Sequence, residues 1–274
     1  MNNSKQKFGI CDKSGKDWIN YINSIEEDVF SHVELYVQDV DKKESPIFNN
    51  TLLKEIRAIA KEKNLTLSLH CLMGINLGEK VKRLRQASID IVKDTLCAAD
   101  QMDALWTTIH LGTAGVINGD IKKFDRLQFV ADSINEITNE HFCSKVGLEN
   151  AFAVPNNTRP TRLGDSPEEF DYLFSKIEHE KAVGIILDFG HARIIANNFN
   201  KYWEKLQSHI LACHMHWNNG VLDQHKPLLE ENLVALKQYE KSLKEMSEKN
   251  IPFLFECKSV NDNLLSIDAL KKFL

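Results

Sequence analysis

The sequence contains little glycine or proline and has no closely paired cysteines. Its 274 residues include 12 glycines and 6 prolines, so we expect no long loop-rich segment. No Cys-x-x-Cys pair occurs, and the six cysteines are scattered at positions 11, 71, 97, 143, 213 and 257. In a chain of this size such a distribution indicates reduced, mostly buried thiols of a cytoplasmic protein.

The sequence also lacks an excess of positive charge and a long apolar run. Lysine and arginine number 34 and aspartate and glutamate number 39, giving a formal net charge of −5. A strong electrostatic case for nucleic acid binding is therefore absent, although a local basic patch is not excluded. No apolar run approaches the ~20 residues that cross a bilayer, and the first residues lack the apolar core of a signal peptide. A composition of 43% hydrophobic and 27% charged residues is ordinary for a soluble globular protein.

Short β-rich runs alternate with longer amphipathic runs along the chain. The predicted strands are Lys7–Cys11, His32–Val37, Leu65–His70, Ala104–His110, Lys145–Glu149, Ala182–Asp188, His209–His216 and Ile251–Glu256. The predicted helices are Thr51–Glu62, Glu79–Met102, Ile121–Glu140, Pro167–Ile177, Glu230–Lys249 and Asn263–Phe273. This alternation predicts the α/β class and a single (β/α)₈ TIM barrel over residues 1–274, because such barrels have about 250 residues. A doubly wound sheet is the alternative, but no Gly-x-Gly-x-x-Gly occurs.

Six successive predicted strands carry a histidine or a carboxylate at or near their carboxyl ends. These residues are His70, His110, Glu149, Asp188, His214 and Glu256. Barrels of this kind place the active site at that end of the strands. A lone strand-end histidine is more often a satisfied core residue than a ligand. Six repetitions need another explanation, because burying such groups is costly unless they pair or bind metal.

The candidate ligands are imidazoles and carboxylates without thiolates. That mixture suits Zn²⁺, Mn²⁺, Co²⁺ or Fe²⁺ and argues against Ca²⁺. Four adjacent strands supply one set of ligands, namely Glu149, Asp188, His214 and Glu256. The remaining residues either complete two further metal sites or hold substrate hydroxyls or phosphate, and they are His70, His110, His191, Asp223 and His225. We therefore predict one to three divalent ions, zinc or manganese.

Successive side chains of a strand point to opposite faces, which separates the neighbours of the candidate ligands from the ligands themselves. Cys71, Cys213 and Cys257 each lie one residue from a candidate ligand, so we expect them to pack toward the helices. His216 shares parity with His214 but lies further along the strand. We interpret His216 as a contact to substrate or to a metal ligand.

Several segments, in order along nearly the whole chain, resemble the xylose isomerase-like TIM-barrel superfamily. They are HCLMGINLG from His70, IHLG from Ile109, GLEN from Gly147, LDFGHA from Leu187, HMHWNNGVLDQH from His214 and LFE from Leu254. This resemblance implies the barrel fold and a metal site. It does not select one activity, because one fold carries different chemistries.

Two branches of that superfamily compete. In the sugar isomerase and epimerase branch, the resemblance implies one ion held by Glu149, Asp188, His214 and Glu256. There, Glu149 and Glu256 also move a proton next to a carbonyl. In the endonuclease IV-like branch, which cuts DNA at abasic sites, it implies three zinc ions held by all nine candidate ligands.

The sequence departs from the nuclease branch at three places. Met73 and Gly74 stand where that branch carries a Tyr-Leu wedge, the loop from His214 to Asp223 is short, and no Gly-Glu-Gly segment follows His225. Without a wedge, opening a duplex loses its compensating contacts. Trp217 also replaces an acidic residue that is common in both branches.

The sequence therefore favours a metal-dependent isomerase or epimerase of a small sugar-like carbonyl compound. Glu149 and Glu256 are its predicted catalytic residues, and Asn150, His216 and Lys258 are its predicted substrate contacts. The first alternative is an endonuclease IV-like zinc phosphodiesterase, the only one of these with DNA as partner. The second is a non-catalytic binding barrel, which the complete ligand set argues against. The oligomeric state stays open, a homo-oligomer included.

Overall fold

Eight parallel strands close into a barrel in the computed structural model of the chain. It describes residues 7–12, 14–15, 17–41, 43–114, 123–152, 161–194 and 197–274. The barrel strands are β1 (Phe8–Asp12), β2 (His32–Tyr36), β3 (Thr66–His70), β4 (Trp106–His110), β6 (Lys145–Glu149), β8 (Val183–Asp188), β9 (Ile210–Met215) and β10 (Phe253–Phe255). Their order around the barrel is β1-β10-β9-β8-β6-β4-β3-β2. A separate antiparallel pair is formed by β5 (Thr113–Ala114) and β7 (Thr161–Arg162).

Helices follow the barrel strands and cover the barrel from outside. They are α1 (Trp18–Asn23), α2 (Asn50–Glu62), α3 (Lys82–Gln101), α4 (Lys123–Thr138), α5 (Pro167–Phe174), α6 (Phe189–Arg193), α7 (Phe199–Leu206), α8 (Leu233–Leu236), α9 (Glu240–Glu248) and α10 (Val260–Phe273). The (β/α)₈ prediction is confirmed. The single-domain extent of residues 1–274 stays a prediction. Within the described residues, no helix combines the length and the hydropathy that crossing a membrane requires.

The eight predicted strands match the barrel strands within a few residues, whereas two helix predictions need correction. The predicted helix over Glu230–Lys249 is interrupted between α8 and α9, where buried Tyr239 packs edge-on against Phe189 and Phe199. The packing of Tyr239 therefore breaks the continuous helix that the spacing of apolar residues predicts there. The helix predicted over Asn263–Phe273 begins at Val260, because the Ser259 side chain accepts a hydrogen bond from the Asp262 amide. The first residues predicted for α4, 121 and 122, lie outside the described residues.

Apolar side chains fill two separate layers. A large cluster lies between the strands and the helices, and it includes Cys71 and Cys213. A small cluster fills the barrel interior with Cys11, Tyr36, Trp106, Ile186, Ala212 and Leu254. Gly147 permits this inner packing, because a Cβ there would lie 2.8 Å from Ile186 Cγ1. The inner cluster supports the side chains above it at the carboxyl ends of the strands.

The cysteine predictions agree with this layering. None of the six cysteines forms a disulfide, and four of them are buried, while Cys97 and Cys143 are exposed. Cys257 faces α10, where its Sγ lies 3.5 Å from Ser266 Oγ. Together with the outer positions of Cys71 and Cys213, this confirms that these three side chains point toward the helices.

Candidate metal centre

The nine predicted ligands converge at the carboxyl end of the barrel. His70, His110, Glu149 and Asp188 are the last residues of their strands, His214 lies one residue before the end of β9, and Glu256 follows β10 directly. His191 belongs to α6, while Asp223 and His225 belong to the loop after β9. They fall into three groups, each with all ligand atoms within 4.8 Å of one another, and the first two groups share Glu149.

The first group comprises His70, His110 and Glu149. Glu149 Oε2 lies 3.2 Å from His70 Nε2 and 2.7 Å from His110 Nε2. His70 donates its other ring proton, on Nδ1, to the Cys71 carbonyl at 2.8 Å. That bond fixes the tautomer and leaves Nε2 as the ligand atom.

The second group comprises Glu149, Asp188, His214 and Glu256, all of them buried. His214 Nδ1 lies 2.5 Å from Glu256 Oε1 and 3.2 Å from Glu149 Oε1. Glu149 is therefore shared between two groups, and each of its oxygens faces a different one.

The third group adds His216 to three predicted ligands, His191, Asp223 and His225. His191 donates from Nδ1 to the Asn150 carbonyl at 2.8 Å. Its Nε2 lies 3.4 Å from Asp223 Oδ2, and His225 Nε2 lies 3.2 Å from the same oxygen. His216 thus lies among the candidate ligands, not apart from them.

Mutual electrostatics dominate these groups. Burial raises the pKa of the Glu149 carboxyl, but the facing imidazoles, led by His110, lower that pKa well below its usual value. Burial lowers the pKa of His191, but carboxylates, led by Asp188, raise it to about 10. Without a metal the carboxylates therefore favour the protonated forms of His70, His191 and His214, whose pKa values are raised. A divalent cation is the natural replacement for those protons.

Several buried polar atoms of the centre have no hydrogen-bond partner within the described residues. They include Asp188 Oδ2, Asp223 Oδ1 and both ring nitrogens of His216. Buried polar atoms without partners are costly, and native proteins rarely concentrate them in one place. The donor set of imidazoles and carboxylates fits zinc, manganese or cobalt ions.

Asn150 positions the backbone of a candidate ligand. Its fully buried side chain accepts a hydrogen bond from the Asp188 amide at 2.6 Å and donates one to the Asp188 carbonyl at 3.1 Å. The amide group is thus already used to position a candidate ligand, and its substrate contact stays a prediction. Lys258 is exposed beyond β10, and none of the contacts that build the three groups involves it.

Glu34 is a site residue that the sequence reasoning missed. It is fully buried in the middle of β2. Its Oε1 lies 3.0 Å from His214 Nε2, and its Oε2 accepts hydrogen bonds from Ser68 Oγ at 2.8 Å and Thr108 Oγ1 at 2.7 Å. Burial raises the pKa of Glu34, but His214 lowers it below its usual value. A carboxylate inside an otherwise apolar strand was the signal that could have revealed it.

Replacing Glu34 by glutamine should weaken metal binding at the second group. The amide cannot present two acceptor oxygens to the surrounding donors, so the orientation of His214 relaxes. Loss of such a supporting contact typically costs about 10–100-fold in metal affinity. Zinc titration of E34Q against E248Q, an exposed exchange of the same chemistry, measures it. Equal affinities in both variants would show that Glu34 does not position His214.

Two further side chains lie beside the centre, and the sequence did not predict either of them. Cys11 Sγ lies 3.9 Å from Glu256 Oε1 and forms a further compact group with Glu34, His214 and Glu256. Arg162 on β7 lines a cavity of about 240 Å³ together with His110, and its guanidinium carbon lies 3.9 Å from the Phe152 ring centre. Burial lowers the pKa of Arg162, while the carboxylates of Asp223 and Glu149 raise it. A half-buried cation therefore stands at the mouth of the centre.

Comparisons with known proteins identify the family of the chain. A family model described as xylose isomerase-like TIM barrel matches residues 26–274. The chain belongs to this family. Among relatives of this xylose isomerase-like barrel is the uncharacterised protein MJ1614 of Methanocaldococcus jannaschii, 29% identical over 226 residues, which are 79% of this chain and 80% of the relative.

Two solved structures, one named after an epimerase and one after a nuclease, share the fold of this chain. A D-tagatose 3-epimerase-like protein superposes with a TM-score of 0.79 at 24% identity, covering 97% of this chain and 96% of that one. Endonuclease IV from Thermus thermophilus superposes with a TM-score of 0.71 at 12% identity, covering 98% of each chain. At such identities the likeness shows only the fold, so the reaction must be argued from the site.

Proposed function

We propose that this xylose isomerase-like barrel is a multinuclear divalent-metal hydrolase of phosphate esters. The observation that carries the proposal is the shared position of Glu149. One of its oxygens faces His70 and His110, and the other faces His214. A carboxylate between two ligand groups suits two neighbouring ions, an arrangement that recurs in phosphatases and nucleases. Bound ions supply Lewis-acid polarisation of a phosphoryl oxygen.

The residues of the chain perform the other tasks. Glu149 and Asp188 bring negative charge that offsets the ions, and Asn150 holds Asp188 in place through its backbone. Arg162 stands beside the cavity that His110 lines, where a guanidinium can pair with a phosphate in a bidentate manner. Met73, 54% exposed, and Gly74 line the same cavity, at the positions where the nuclease branch carries its Tyr-Leu wedge. Because this chain has no such wedge, we propose a phosphate ester whose hydrolysis does not require opening of a DNA duplex.

An isomerase or epimerase is the second candidate, and the sequence alone ranks it first. Glu149 Oε1 and Glu256 Oε1 both approach Nδ1 of His214, so two carboxylates meet at one four-ligand group. That is what proton transfer next to a carbonyl needs. The geometry favours the hydrolase, because a single ion leaves the first and third groups without a task.

The decisive assay compares the two reactions on the same zinc- or manganese-loaded protein. Hydrolysis of bis(p-nitrophenyl) phosphate and p-nitrophenyl phosphate is measured beside exchange of sugar C–H protons with D₂O. Hydrolysis without exchange supports the hydrolase. Exchange with a ketose, without release of nitrophenol, would replace it by the isomerase.

Arg162→Gln tests the phosphate contact in the same assay. We expect KM to rise about tenfold with a smaller change in kcat, because one charge-assisted contact is worth about 1.4 kcal/mol or more. The matched control is Arg57→Gln, an exposed arginine that pairs with Asp103. An unchanged KM in R162Q would remove Arg162 from substrate binding.

A further inference from the structure

His216 is a buried imidazole within the third group. It follows β9 directly, and its side chain has no exposed surface. Neither ring nitrogen makes a hydrogen bond within the described residues, although Nε2 lies 3.2 Å from Asp188 Oδ1. The carboxylates nearest to Nε2 belong to candidate metal ligands, namely Asp188 and, at 3.5 Å, Asp223. An imidazole placed among candidate ligands is itself in a position to bind an ion.

Three imidazole nitrogens surround one carboxylate at this place. The Nε2 atoms of His191, His216 and His225 lie 3.4, 3.5 and 3.2 Å from the nearest carboxylate oxygen of Asp223. Ligand atoms at 2.0–2.1 Å around a tetrahedral zinc ion are about 3.3 Å apart. The distances from the three imidazoles to Asp223 are thus close to those between ligands of one zinc ion, and all four ligand atoms lie within 4.8 Å of one another.

The second nitrogens of two of these rings are anchored. His191 Nδ1 donates to the Asn150 carbonyl at 2.8 Å, and His225 Nδ1 donates to the Glu256 carbonyl at 3.2 Å. A carbonyl can only accept, so each Nδ1 carries a proton and each Nε2 is the atom left to bind an ion. This is the arrangement that orients histidines toward a metal.

The space for His216 is provided by Gly190. A Cβ at Gly190 would lie 1.9 Å from His216 Cε1 and 2.2 Å from its Nε2. Asn218 fixes the same region, because its side chain donates to the Gly190 carbonyl at 2.8 Å. The position of the ring is therefore defined by α6 and by the loop after β9.

From these contacts we infer that His216 is the fourth protein ligand of a closed zinc site formed with His191, Asp223 and His225. The inference rests on the proposed multinuclear centre and deepens it. Four protein ligands leave no open position, which is typical of structural zinc and not of catalytic zinc. The ion at this site fastens the segment 217–226, whose ends pair at Trp217 and Lys226, against α6. Substrate then meets the ions of the first two groups only.

Cobalt substitution of the whole chain tests this assignment. In His216→Asn we expect the loss of one ion per chain or an affinity at least about tenfold lower at one site, since even supporting contacts cost about 10–100-fold. The intense visible absorption of tetrahedral Co²⁺ should fall with it. Limited proteolysis within 217–226 should become faster. The control is His209→Asn, a half-buried histidine beside Glu180 outside the centre.

An H216N variant with the cobalt stoichiometry, affinity and spectrum of the wild type would overturn the inference. Should H216N not fold, cobalt-loaded wild type decides, because only weak, six-coordinate-type absorption would also overturn it. Failure of the proposed hydrolase function can be distinguished from failure of the closed zinc site. A wild type that binds the ions but hydrolyses no phosphate ester, beside an H216N variant that loses one, refutes the hydrolase and supports the closed site.

Discussion

Replacing Glu149 by glutamine is expected to reduce turnover by at least about a thousandfold and to remove two ions from each chain. The carboxylate is 2% exposed and belongs to both the first and the second group. Glutamine keeps the shape but has one acceptor oxygen and no charge, so it cannot serve both groups. Loss of Lewis-acid stabilisation is worth several kcal/mol, and about 4 kcal/mol corresponds to a thousandfold.

Metal analysis beside steady-state kinetics checks the Glu149 variant. The exposed exchange E248Q should retain the metal content and turnover of the wild type. An E149Q variant that kept its full metal content would show that Glu149 does not lie between two ions. Loss of activity alone would not choose between hydrolase and isomerase, because both need this carboxylate.

Removal of the ions is expected to lower thermal stability strongly. An ion that binds the folded state stabilises it by about 4 kcal/mol when its concentration is a thousand times its Kd. For a chain of this size, 1 kcal/mol shifts the melting temperature by about 2–4 °C. Each tightly bound ion should therefore contribute roughly 10 °C. The physical reason is the crowding of buried carboxylates at the barrel end, among them Glu34, Asp188 and Glu256.

Thermal unfolding before and after dialysis against a chelator measures this effect. Addition of zinc should restore the original melting temperature, whereas Mg²⁺ should not, because imidazole ligands do not suit it. A chelated protein that melted at the same temperature as the untreated protein would contradict a metal-stabilised centre.

The barrel and the convergence of nine side chains were predictable because both depend on local patterns. Strand ends such as Glu149 and Asp188 are positioned by parallel pairing alone, which brings all carboxyl ends to one rim. The roles of Glu34 and Arg162 could not be predicted, because they depend on contacts between segments distant in the chain. The short helices α1, α6 and α7 were not predicted, because a segment of so few residues does not show a clear helical periodicity of apolar side chains.

His216 shows the limit most clearly. Its parity with His214 was readable, but its membership of the third group depends on the room left by Gly190, 26 residues earlier in the chain. A single sequence does not reveal which glycine leaves space for which ring. The helix break near Tyr239 has the same origin, since it depends on packing against Phe189 and Phe199.

The number of ions per chain tests the central claim most directly. Purified protein, loaded with zinc and freed of excess metal, is analysed for zinc against protein concentration. The three groups, of which the first two share Glu149, predict three ions per chain. One ion per chain, held by Glu149, Asp188, His214 and Glu256 alone, would contradict the multinuclear hydrolase and support the single-metal isomerase.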